Sequence, residues 1–336
     1  MARPSDAAPN RMSNHRVLLA AALVLVCVSV WLAARLAGVL AIGEPQIRAG
    51  IVAVPEQEPL AIASARGALD PARVHVVEFF SLEDMHNAFL DGNVHVGVFT
   101  LDEALRLAGP PVNAKIERFV GVSCSPFSLM AAPGIATVAD LRGRRVGLES
   151  GRFAMSILRE LLSRGGLTPD DIQMNQLDAD SAPIALEHGQ VAAVLTSEPV
   201  SLRLSRAGAH ALARWASVPG ELMVLVSTRR AHQVAPGQMG HLQDAWVAGA
   251  GALLRPDTAA TGLIARHEGI GVADVAGELA TQHYLGAADE RHMREPEGLA
   301  TVDTAIASIA ARWRALGVRD TVPARAAWLP PARKRP

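Results

Sequence analysis

Residues 88–107 read AFLDGNVHVGVFTLDEALRL, and the reading of this stretch decides the fold. A helix end runs into Gly92, and a mostly apolar strand follows from Val94 to Phe99. Thr100-Leu101-Asp102-Glu103 then fits the capping box, a hydroxyl at the N-cap with a carboxylate three residues later. A strand apolar on both faces is expected to be a buried parallel strand. The helix after it aims its free N–H groups at whatever lies beyond the strand's carboxyl end.

Residues 185–204, ALEHGQVAAVLTSEPVSLRL, align with this stretch without gaps. Ala88/Ala185, Gly92/Gly189, Val94/Val191, Leu105/Leu202, Arg106/Arg203 and Leu107/Leu204 are identical, and Ser197 falls under Thr100 as the matching N-cap. Two readings stay open. Helix–Gly–strand–cap–helix is a common α/β unit that recurs by chance, or two lobes of like design each end a strand on a capped helix facing a shared cleft.

The neighbouring segments extend the alternation. QIRAGIVAV (46–54) and RVHVVEFF (73–80) read as strands, Pro59 suits the first turn of a helix, and Ser81 with Asp84 caps the next one. Further on, TVADLRG (137–143) is a short helix with a Gly stop, and RRVGLE is a strand. Ser150-Gly151 then opens the helix FAMSILRELLSRGG, and LTPDDIQMNQL holds a turn and a strand. This βαβαβα order predicts parallel sheets covered on both faces. VSCSPFSLMAAPG (122–134) and SVPGELMVLVSTRR (217–230) are extended and punctuated by Pro and Gly, as two hinge strands require. From about Gln238 the pattern is helical, through HLQDAWVAGAGALLR, TAATGLIARHEG, VADVAGELATQHYLG and LATVDTAIASIAARWRALG. The tail PPARKRP is expected to be disordered.

Composition narrows the function. The chain's 336 residues exceed one ordinary core, so two lobes are expected. Half of the residues are apolar and 19% charged, with a formal net charge of −1 and no basic run outside the two ends, which argues against nucleic acid as a partner. Aromatics make up only 4%, with Tyr284 the single tyrosine, so a ligand held by stacked rings is disfavoured. Cys27 and Cys124 offer neither a disulfide between soluble parts nor a metal site, and Cys124 reads as a small buried thiol. No P-loop is present, His267-Glu268 lacks the second histidine of HExxH, and the eleven histidines lack metal-ligand spacing. The sequence thus shows no catalytic set, no metal site and no cofactor motif.

Arg3, Arg11 and Arg16 precede eighteen uncharged residues, 17–34, and a further apolar piece reaches Gly43. That length meets the lower limit for a spanning helix, and the arginines place the N-terminus in the cytoplasm. Val39-Leu40-Ala41 is an alternative cleavage site that would make the segment an export signal. Lipid modification of Cys27 is disfavoured, because Val26 stands where a small residue is needed. Anchored or cleaved, the segment exports the body from about residue 44.

EPLAIASARGALDPARVHVVEFFSLEDMHNAFLDGNVHVGVFTLDEALRLA resembles the first lobe of substrate-binding proteins of nitrate/sulfonate/taurine-type ABC importers; PGIATVADLRGRRVGLESG and VLTSEPVSLRL resemble the second. The resemblance runs in register over about residues 46–230. It implies an α/β, type II two-lobe periplasmic-binding-protein-like fold with parallel-sheet lobes, here preceded by one N-terminal transmembrane helix. The boundaries expected are 1–16 for a cytoplasmic end, 17–41 for the anchor or signal sequence, 46–128 for the first part of lobe 1, 129–222 for lobe 2, 223–325 for the return and C-terminal helices, and 326–336 for a basic tail. It implies a non-enzymatic, extracytoplasmic protein that closes on a small molecule by a hinge and delivers it to a permease driven by a separate ATPase subunit. The same body used as a membrane-tethered ligand sensor is the competing reading. The chain departs from the family at Val54-Pro55-Glu56-Gln57-Glu58 and at Ser197, where many members carry an aromatic residue.

In such sheets ligands sit outside the carboxyl ends of the strands. Four loops meet that condition and, with the hinge, supply the candidate ligand-binding residues Glu56, Gln57, Thr100, Leu101, Asp102, Ser125, Glu149, Ser150, Gly151, Arg152, Ser197 and Glu198. Converging helix N-termini favour an anion. Ser150-Gly151-Arg152 joins a hydroxyl cap, a glycine allowing close approach and a guanidinium, a set suited to a sulfonate or carboxylate; the alternative is that Ser150 only caps and Arg152 faces water. Glu56 and Glu58 would repel an anion unless turned outward, and turned inward they favour an amine.

Overall fold

The computed structural model describes residues 25, 26, 28 and 29, and residues 47–330 apart from 71–73, 125–126, 149–151, 178–180, 216–220, 236, 256, 316 and 318–320. The chain divides into two units, Met1–Pro45 and Gln46–Pro336. In the first, Leu25, Val26, Val28 and Ser29 are helical, and the Ser29 hydroxyl donates to the carbonyl of Leu25. No helix among the described residues is long and apolar enough to cross a membrane. Apart from those four positions, the segment expected to span lies outside the described residues, as does nearly all of the tail PPARKRP.

The second unit is built on eleven described strands: β1 (Ile47–Val52), β2 (Val74–Phe79), β3 (Val96–Thr100), β4 (Lys115–Ser123), β5 (Phe127–Ala131), β6 (Arg145–Leu148), β7 (Gln173–Gln176), β8 (Ala193–Thr196), β9 (His210–Trp215), β10 (Glu221–Ser227) and β11 (Gln282–Tyr284). They form a six-stranded sheet, β11-β4-β10-β3-β1-β2, and a five-stranded sheet, β7-β6-β8-β5-β9. The five-strand order β2-β1-β3-β10-β4 of the first sheet is therefore repeated as β7-β6-β8-β5-β9 in the second. This repeat in space matches the repeat in sequence.

Both sheets are mixed, which corrects the expectation of parallel sheets. β1 runs parallel to β2 and β3, and β6 parallel to β7 and β8. β10 is antiparallel to both β3 and β4, as β5 is to both β8 and β9. The cause is the pair of crossings between sheets. The chain leaves the first sheet after β4 to enter the second as β5, and leaves the second after β9 to return as β10. Each incoming strand wedges between the third and fourth strands of the sheet it joins, and it runs against them.

Strand side chains alternate between two covered faces, which explains why the strands read as apolar throughout. On β10, Met223 and Leu225 face a core with Ile47, Leu60 and Trp246, whereas Leu222, Val224 and Val226 face one with Phe89, Phe99 and Trp313. The second sheet likewise separates Leu129, Val146 and Leu158 from Met130, Val194 and Leu204. The helices entering and leaving these strands follow local signals. Ser81 accepts a hydrogen bond from the Asp84 N–H at 3.0 Å to cap Leu82–Leu90, and Gly92 and Gly189 stop the helices before β3 and β8 with φ of 72° and 66°. The segment Gln282–Tyr284, expected to be helical, is instead the edge strand β11, antiparallel to β4.

Candidate functional site

The carboxyl ends of β1, β3 and β4 lie on one edge of the first sheet, since Thr100 faces Met223 and Ser123 faces Glu221 across β10. The loop after β1 is a 3-10 turn, Pro55–Gln57, that feeds the helix Glu58–Ala65. Gln57 braces this turn: it is buried, its carbonyl oxygen accepts from the Val52 N–H at 2.7 Å, and its amide donates to the Val98 carbonyl at 3.5 Å. The buried Tyr284 hydroxyl donates to the Pro55 carbonyl at 2.6 Å, fixing the turn from the other side. Glu56 is thereby held half-buried at the edge, where Oε1 accepts from Ser123 Oγ at 2.5 Å and from Gln282 Nε2 at 3.0 Å.

Behind Glu56 lies a set of buried acids. Glu58 is fully buried, and its Oε1 lies 2.6 Å from Nδ1 of His267. Burial raises the Glu58 pKa against the opposing pull of His267; burial would lower that of His267, but the bond to Glu58 and the charges of Glu58 and Glu78 raise it. Glu268 and Glu278 are 1% and 3% exposed, Glu268 lying within hydrogen-bonding reach of Glu58. Burial, with the charges of Glu58, Glu278 and Glu56, pushes Glu268 up to about 9. Burial, with the charges of Glu198, Glu56 and Asp274, pushes Glu278 up to about 8.

The second sheet meets this edge through the helix Val200–Arg206. Leu202 packs against the first sheet's core, Arg206 forms an ion pair with Asp274, and the Arg203 guanidinium borders Gly269. Glu198 precedes this helix, and its Oε2 accepts from the Leu202 N–H at 3.0 Å. The helix after β8 thus packs against elements that cover the first sheet.

The remaining sequence candidates fall elsewhere. Thr100 is the N-cap expected of it: Oγ1 accepts from the Glu103 N–H at 3.2 Å and donates to Glu103 Oε2 at 2.9 Å, so its hydroxyl is engaged in the capping box. Leu101 is a core residue at 1% exposure rather than a lining one. Asp102 also turns inward: its carboxylate accepts from Arg106 Nε at 2.6 Å, Trp313 Nε1 at 2.9 Å and Arg312 Nη2 at 3.1 Å. Ser197 is not the N-cap matching Thr100, because the helix starts later and Pro199 occupies that place. The carboxylate that reaches a helix N–H there belongs to Glu198. Ser125, Glu149, Ser150 and Gly151 lie outside the described residues; Arg152 opens the helix Arg152–Ser163, its side chain outside the description. Cys124 is exposed beside the crossing, not buried.

Ser123, Gln282, Glu268 and Glu278 were not legible as neighbours of Glu56, since three of the four come from the C-terminal helical region. Among the described residues no group of three or more His, Cys, Asp or Glu is disposed to hold a metal. Ser227, His232 and Glu117 form a cluster without relay geometry. The same nitrogen, Nε2 of His232, lies 2.9 Å from Ser227 Oγ and 2.6 Å from Glu117 Oε1, whereas a relay uses opposite ring nitrogens.

Residues 73–213 match the family model described as NMT1/THI5 like. No curated protein matches the chain significantly. Among solved structures, the alkanesulfonate-binding protein SsuA from Xanthomonas axonopodis pv. citri bound to MOPS is 22% identical with a TM-score of 0.62, covering 86% of this chain and 100% of its own. The periplasmic aliphatic sulphonate binding protein SsuA from Escherichia coli is 18% identical with a TM-score of 0.55, covering 78% and 94%. The desulfurization enzyme DSZB shares the fold at 16% identity and a TM-score of 0.56, covering 85% and 96%. The body has the α/β periplasmic-binding-protein fold with mixed sheets, and the resemblance to substrate-binding proteins of sulfonate- and nitrate-type importers, read from the sequence, is met by both the family model and the solved structures.

Proposed function

We propose that this chain is the extracytoplasmic solute-binding component of an ABC importer. It takes up a small organic solute, sulfonate-, nitrate- or taurine-like, between its two sheets and presents it to a permease whose ATPase is a separate subunit. The observation carrying this reading is the mirrored strand order of the two sheets, joined by two crossings, β4 to β5 and β9 to β10. Such paired connections suit a hinge, because a few linking residues absorb the rotation while each sheet moves as a body. Two sulfonate-binding structures with the same fold support the solute class. The anionic end of the solute is assigned to the Ser150-Gly151-Arg152 helix start, and residues 17–41 to tethering or export, with the body on the periplasmic side.

The test is a thermal-shift and calorimetric screen of sulfonates, nitrate, amino acids and pyrimidines, repeated with Arg152→Ala. A saturable ligand whose affinity falls at least tenfold in the variant is expected, the loss being about 1.4 kcal/mol or more. Unchanged affinity removes Arg152 from the site, and the absence of any ligand overturns the function.

A further inference from the structure

Resting on that reading, we propose that Glu56 is a positioning residue that couples the solute's place to the hinge. Its carboxylate latches the turn after β1, across the carboxyl edge of the first sheet, onto Ser123, the last residue of β4 before the crossing to β5.

The order of the sheet makes this contact informative. β1 and β4 are separated by β3 and β10, so no strand pairing joins them. Three strand spacings put their ends about 14 Å apart. The Pro55–Gln57 turn nevertheless holds both. Near its origin, the buried Gln57 side chain accepts from the Val52 N–H on β1 and donates to the Val98 carbonyl on β3. Over the far strands, Glu56 Oε1 accepts from Ser123 Oγ at 2.5 Å and from Gln282 Nε2 at 3.0 Å. Gln282 Nε2 also lies 3.2 Å from Ser123 Oγ, which closes a triangle of side chains. The Tyr284 hydroxyl donates to the Pro55 carbonyl at 2.6 Å beside it. The turn is thus a strap laid across the strand ends and fastened on both sides.

Ser123 is where the strap meets the hinge. It pairs with Gln282 on β11 and with Glu221, the first residue of β10, so the outgoing and returning chains leave the first sheet side by side. The next amide, that of Cys124, donates to the Thr281 carbonyl at 2.8 Å. Any rotation of the second sheet acts first on these residues. Glu56 ties them to the turn that borders the solute's place. A charged acceptor makes the stronger kind of hydrogen bond, and side chains closed into a network resist moving singly. A solute arriving at the turn therefore biases the hinge, and by the same linkage the hinge biases the turn.

The experiment follows, on the full chain, amide exchange at Cys124 without solute and calorimetric affinity for MOPS, ethanesulfonate and nitrate. Ser123→Ala should speed Cys124 exchange at least tenfold and weaken the best-bound probe at least threefold, because the strap is unfastened. Glu56→Ala should speed that exchange to the same degree, whereas Glu56→Gln, which keeps an acceptor oxygen, should stay within threefold of the native rate. In a Glu56→Ala background, Ser123→Ala should change neither readout further, since its partner is already gone. With a probe bound, either readout unmoved by Ser123→Ala, or an equal loss in both backgrounds, overturns the latch while leaving the solute-binding function standing. Failure of every probe to bind overturns the importer reading, and Cys124 exchange, which needs no solute, then decides the latch alone.

Discussion

At the scale of single residues, Asp102 shows how a local pattern and a distant packing partner divide one position. Its neighbour Thr100 was legible because a capping box is written within four residues, and the structure keeps both of its reciprocal bonds. Asp102 sits in the first turn of the same helix, and its charge is taken up by Arg312 and Trp313, more than two hundred positions away in sequence, as well as by Arg106. No reading of residues 88–107 alone could find those partners. Removing the carboxylate takes away the acceptor shared by the Trp313 indole N–H and the Arg106 and Arg312 guanidinium groups. Asp102→Ala should therefore lower stability by about 3 kcal/mol in chemical denaturation while solute affinity stays within twofold. Lost affinity at unchanged stability would instead put Asp102 at the ligand. Glu278 is the opposite case: its isolation among acids appears only when helix Val275–Leu279 is set beside the turn after β1.

At the scale of elements, the strands and most helices follow from periodicity and caps, and the misses share one physical cause. β11 has three residues, too few to show alternation, and it exists because β4 offers an open edge at Ser123, Val122 and Gly121. Ser197 failed as a cap because the chain after β8 runs three residues further before turning into a helix than the chain after β3 does. Close contact between helices was equally invisible. The run Ala248-Gly249-Ala250-Gly251 reads as ordinary helix, yet a Cβ on Gly249 would come within 1.9 Å of the Pro59 carbonyl oxygen in the helix that follows the Glu56 turn. Backbone cannot yield there as a flexible side chain can. Gly249→Ala is expected to destabilise the protein by about 2–3 kcal/mol in denaturant unfolding, whereas Gly251→Ala, which meets nothing within 4 Å, should be neutral or mildly stabilising. Equal effects of the two substitutions would show that the helices do not pack this tightly.

At the scale of the whole body, the internal repeat and the two linking segments were readable, because both are matters of order along the chain. The pairing was not. An alternating βα sequence normally gives parallel sheets, and the exchange of β5 and β10 between sheets, with β11 added at the edge of the first, makes them mixed. That exchange ties the two sheets by a pair of short crossings. The central claim is that a solute is held between the two sets of strand ends. A crystal structure of the chain with its best-binding solute tests it most directly. The account predicts the solute touching both sheets, with Glu56 at one end and the Arg152–Ser163 helix start at the other. A solute seated wholly on one sheet, or on a surface away from these strand ends, would contradict it.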